Sequence, residues 1–225
     1  MKGFNKDYYT LIGSLPQLPR FDRATRLPIT QERLYERLKM LEPEDAHILS
    51  RIESFLFWKR QVVKETAAEL SRQYDSLMSL PMPGALKEFI KTILAQRTIM
   101  VGLRRRQRGL PPPAHGEVWR LGPLVRHIEK HWTDPDFKLA ATYPFITRAR
   151  ELLAAGDAPG LDKHGGLYGW RVVDEMVFGR EFTFVGVFGY VFKWNMVAYW
   201  LSFDGRMAQK RFEELVAEVC GEYEK

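Results

Sequence analysis

Apolar residues recur at intervals of three and four along most of this chain, and no run alternates long enough to read as a strand, so the pattern predicts an all-α protein. Ile48, Ile52, Phe55, Leu56, Val62, Val63, Leu70, Tyr74 and Leu77 follow one helical stripe, and neither proline nor glycine interrupts Glu44 to Leu80. That spacing predicts a single helix over about 44–80, a rod or a long hairpin arm, with Pro43 in its first turn. Pro81 and Pro83 then turn the chain. A second long helix is expected over about 85–108, carrying Phe89, Ile90, Ile93, Leu94, Met100, Val101 and Leu103 on its apolar side. Gly102 should weaken it by about 1 kcal/mol relative to alanine. The two long helices and a C-terminal helical cluster would build an elongated bundle.

Shorter elements follow from punctuation. Residues 7–21 suggest a brief strand or helical turn and then a loop held open by Pro16 and Pro19. Thr30 is a candidate N-cap for a helix over 31–41, and Glu32 suits the positive end of its dipole. Gly109 to Gly116 holds three consecutive prolines and reads as a stiff linker, dividing the chain into an N-terminal region 1–110 and a C-terminal region 117–225, or joining the two in one domain. Beyond it, helices are expected from Gly122-Pro123 to Trp132, from Asp134-Pro135 (interrupted at Pro144) to Gly156, and from Asp157 or Asp162 to Gly179. Thr183 would cap a helix over 184–202, and Asp204 a last one.

The run Phe182 to Phe203 is about long enough to span a bilayer, but Lys193 and Asn195 sit at its middle, where polar groups are costly. A buried helix is the better reading. The N-terminal residues lack a signal peptide's apolar core. The single cysteine, Cys220, cannot form an internal disulfide, which favours a reducing, cytoplasmic setting, with a peripheral place at a membrane face as the variant. Cys220 shares a helical stripe with Leu215, Val216 and Val219, as a packed thiol would.

The formal charge of +6 is concentrated. Between Arg97 and His131 stand eight Lys or Arg and two acids, a net of +6, which leaves the rest of the chain near neutral. Such an excess implies an acidic partner. Arg97, Arg104, Arg105, Arg106 and Arg108 are the candidate docking residues. An acidic protein face is favoured over an anionic membrane surface, and nucleic acid is disfavoured because no nucleic-acid-binding motif accompanies the charge.

His127 and His131 lie at i, i+4, so a helix would put both on one face, as a zinc site needs. Yet Glu129 does not directly follow the first histidine, as it must in the zinc-protease pattern, and Arg126 and Lys130 would repel a cation. No phosphate loop and no nucleophile elbow is present. The chain therefore reads as a non-enzyme without cofactors. The alternatives are a nucleic-acid-binding helical protein, or a metalloprotein using His127 and His131.

Three stretches carry a family resemblance. Tyr8-Tyr-Thr-Leu-Ile-Gly-Ser-Leu-Pro-Gln-Leu18 is similar to the start of a small bacterial family of unknown function that accompanies V-type ATPase subunits. Arg97-Thr-Ile-Met-Val-Gly-Leu-Arg-Arg-Arg106 fits it too, and Phe182 to Trp194, through Arg211-Phe-Glu-Glu-Leu215, resembles its closing helices. The resemblance implies a helical, non-catalytic subunit like the C/d-type subunit of V/A-type ATPases, which caps the membrane rotor ring and docks the central stalk. Stalk and rotor-ring subunits would then be the partners.

Overall fold

The computed structural model describes residues 7–56, 67–113, 122 and 124–223, with side chains to Phe203 in the last helix. It is all-helical: 69% of the chain is helix, with no strand among the described residues. In chain order these are α1 (Tyr9–Ser14), a 3-10 turn (Phe21–Arg23), α2 (Gln31–Leu38), α3 (Pro43–Leu56), α4 (Ala67–Ser79), α5 (Gly84–Gln107), α6 (Val125–Lys130), α7 (Phe145–Ala154), α8 (Ala158–Val177) and α9 (Phe184–Tyr223).

Several local signals act as the sequence suggests. The Thr30 side chain accepts from the Arg33 amide at the head of α2, and Asp157 accepts from Gly160 at the head of α8. Each satisfies a donor that the first helical turn leaves open. Pro43 opens α3.

Longer-range expectations need correction. The stretch 44–80 is not one rod. Arg51 Nη2 donates to Ser76 Oγ at 3.2 Å, and the Phe55 and Tyr74 rings lie 6.2 Å apart. A single straight helix would hold residues 51 and 76 about 37 Å apart. The chain therefore doubles back between α3 and α4. Val62 and Val63, read as part of the rod's stripe, lie outside the described residues. Asp134-Pro135 does not start a helix either: turns lead to α7, and Phe137 and Lys138 adopt φ of 54° and 56°. Asp204 begins nothing, because α9 runs through it unbroken.

Two cores organise the fold. The larger gathers Leu11, Leu34, Ile48, Ile52, Leu77, Leu86, Ile90, Val173, Val187, Phe188 and Val191, so both sides of the proline-rich segment share it. Within it Phe89 meets Phe188 and Phe192 edge-on, at centroid distances of 5.4 and 4.9 Å. The smaller joins Ile99 and Leu103 of α5 to Ile128, Phe137, Ile146, Ala149, Leu152 and Leu161. Helix α5 thus feeds its first half to one core and its second half to the other.

Among the described residues, no helix is long and apolar enough to cross a membrane. The polar residues inside the apolar part of α9 have specific partners. Lys193 pairs with Asp174 of α8 and lies over the Trp170 ring. Asn195 donates to Glu53 of α3 at 3.0 Å, and Glu53 also receives the Tyr35 hydroxyl of α2. These bonds fix the face that α9 turns to its neighbours. The buried Tyr8 hydroxyl donates to Asp45 of α3 and accepts from the Glu42 amide. Burial, and then the Asp45 bond, push the Tyr8 pKa well above its usual value.

Candidate functional site

The five arginines with the highest local charge density do not form one patch. Arg97 reaches out of α5 and donates to the Leu56 carbonyl of α3 at 2.7 Å, tying the two helices together. Arg105 donates to the Pro111 carbonyl at 2.9 Å and folds the chain back beyond the end of α5. Arg106 donates to three carbonyls, those of Trp132, Asp134 and Pro135, and its guanidinium stands 4.9 Å from the centre of the Phe137 ring. Burial lowers its pKa from the ordinary arginine value. Arg104 and Arg108 remain exposed at the tail of α5; Arg104 stands 3.8 Å from Asp162.

The Arg106 carbonyls belong to the segment where two non-glycine residues take left-handed backbone conformations, which cost roughly 1–2 kcal/mol each. The segment is over-determined, as such strain requires. Phe137 is fully buried, its ring packed on Gly102, where an added Cβ would come within 3.2 Å of the ring. Gly102 therefore allows close packing here, against its lower helix propensity. His127 holds the same segment: its Nε2 lies 2.9 Å from the Phe137 carbonyl, which makes that nitrogen the protonated donor. The His131 ring lies 4.6 Å from that of His127 at a tilt of 47°, and its Nδ1 lies 3.5 Å from the Asp134 carboxylate. The two histidines do share a face, but that face grips a loop. Among the described residues, no group of three His, Cys, Asp or Glu side chains is placed to hold a metal.

Two features were not singled out from the sequence. The first is an aromatic corner. Phe178 follows α8 and is 81% exposed; Phe182 and Tyr9 are about half exposed, with their rings 4.8 Å apart. The turn that carries them is well braced. Gly179 takes φ of 71°, Arg180 returns its side chain to the Met176 carbonyl, and the Phe182 carbonyl accepts from the Tyr8 amide. A hydrophobicity count hides this corner, because Phe178 continues the apolar stripe of α8 and only the helix stop at 177 turns it outward. The second is a pair of arginines in α2, Arg33 and Arg37, which line a cleft of about 360 Å³. Their i, i+4 spacing was the only sequence signal.

No family model matches the chain, and no curated protein or solved structure matches it either.

Proposed function

We propose that this chain is a non-catalytic docking or assembly subunit, and that its setting is the one the sequence resemblance implies: a V-type ATPase, with stalk and rotor-ring subunits as partners at the cytoplasmic side. The observation that carries a docking role is the aromatic corner. A phenylalanine 81% exposed on a turn held by backbone and side-chain hydrogen bonds is a rigid apolar projection of the kind that anchors interfaces. Arg104 and Arg108 add cationic side chains for an acidic face, whereas Arg97, Arg105 and Arg106 serve the fold.

Co-purification with ATPase stalk subunits at physiological salt tests this. Phe178→Ser should weaken it strongly, and the double reversal Arg104→Glu with Arg108→Glu should weaken it further, neither moving the melting temperature. Co-purification that survives both changes would reject the reading.

A further inference from the structure

The cleft beside α2 is built in a different way from the arginine-rich end of α5. Its walls are Gly13 to Pro16, at and after the end of α1, and Leu27 to Thr30; Arg33 and Arg37, one helical turn apart, complete the lining. Both walls are pinned by α9. Tyr190 donates to the Pro16 carbonyl at 2.8 Å, and the buried Trp194 indole donates to the Ile29 carbonyl at 2.9 Å. The cleft is thus largely pre-formed.

Its arginines, Arg33 and Arg37, have no carboxylate partner among the described residues, and Arg37 Nη1 is shielded from solvent with no hydrogen-bond acceptor among them. The nearby acids are engaged elsewhere: Glu36 pairs with Lys39, and Glu32 turns back to the head of α2 and Thr30. Across Leu27 and Pro28 lies a second hollow of about 530 Å³, lined by Arg23 and Arg26, both exposed. A shielded guanidinium nitrogen without an acceptor is costly, and a site with four arginines around an apolar wall has one ready form of compensation, an anion with several oxygens.

We propose that this cleft binds phosphate esters, with Arg37 and Arg33 gripping the phosphate oxygens, Leu15, Leu27 and Ile29 accepting the apolar part of the ligand, and Arg23 and Arg26 extending the site to a second anionic group. Guanidinium groups match phosphate oxygens in paired geometry, which favours this class over simple halides. The ligand would be a free phosphorylated metabolite or a lipid headgroup. The inference does not rest on the docking role above.

Calorimetric titration of the full chain with pyrophosphate at low salt, beside flotation with phosphatidylcholine vesicles containing phosphatidylglycerol, tests it. Pyrophosphate should bind, and Arg37→Gln should weaken binding at least about tenfold. Arg33→Gln, at an exposed position where folding is not at issue, should weaken it less, and Arg108→Gln should leave it unchanged. Arg37→Gln should also melt no lower than the parent, because it removes an unpaired donor. Vesicle binding alone, with the same order of variants, would assign the site to lipid headgroups. Binding of neither probe, or binding that Arg37→Gln leaves intact or that Arg108→Gln weakens equally, would overturn the proposal.

Discussion

Two groups of arginines differ in what surrounds them, and the difference runs opposite to their prominence in the sequence. Those of α5 stand close together, and three of them close on backbone carbonyls. Those around α2 are spaced out among Asp22, Glu32 and Glu36 and give no local charge peak, yet Arg23, Arg26, Arg33 and Arg37 have no ion pair among the described residues. Charge density along a chain measures supply. Availability depends on how many carbonyls and carboxylates the fold brings within reach.

The sharpest way to break this contrast is Arg106→Ala. It removes the guanidinium that donates to the Trp132, Asp134 and Pro135 carbonyls, and should destabilise the protein by roughly 2–4 kcal/mol in denaturant unfolding, where Arg37→Gln should lower stability by nothing measurable. Equal losses for the two would erase the distinction. Gly102→Ala probes the same segment from the other side. Ala is the better helix former by about 1 kcal/mol, but its Cβ would press on the Phe137 ring, so a net loss of about 1–2 kcal/mol is expected. A gain in melting temperature would mean that Phe137 yields readily.

The smallest effect concerns Asp22, which shows what a compensated arginine near the cleft looks like. Its shielded carboxylate takes Arg20 at 2.5 Å and Lys163 of α8 at 3.3 Å. The Arg20 bond, ahead of the opposing effect of burial, lowers its pKa from the usual carboxylate value. A lowered folded-state pKa means that this contribution is complete at neutral pH, begins to fall as pH drops towards the unfolded value near 3.9, and is gone below the folded one. Asp22→Asn should therefore flatten the acid limb of a stability–pH curve between about pH 5 and 3. Because Arg20 and Lys163 are substantially exposed, the change at pH 7 should be at most about 1 kcal/mol. An unaltered acid limb would show that the pairing is not maintained in solution.

What could be read from the sequence was local. Thr30, Pro43 and Asp157 start helices through contacts with residues at most four positions away, and their chemistry is visible in a short window. The all-α class followed from the period of the apolar residues. The doubling back between α3 and α4 left no glycine or proline to mark it, and the packing of Phe55 on Tyr74 is a tertiary fact. The segment after Asp134 misled because a cap followed by proline suits a helix start, whereas here burial of Phe137 against Gly102 decides the backbone. Asp204 misled in the same way, since an N-cap residue is tolerated inside a helix. As for the sites, the i, i+4 spacing of His127 and His131 is legible as a shared face, but that His127 meets the Phe137 carbonyl ten residues on depends on a turn no periodicity describes. The α2 cleft depended on α9, more than 150 residues away, to hold its walls.

Helix α5 lends residues to both cores, and this bears on how the molecule comes apart. Neither half can melt and leave the other intact, since losing either one strips a flank of the same rod and frees its amides to exchange with solvent. The centre of that rod, from Leu94 to Ile99, should hold its amide protons longest, and the chain should lose structure in one concerted event rather than two.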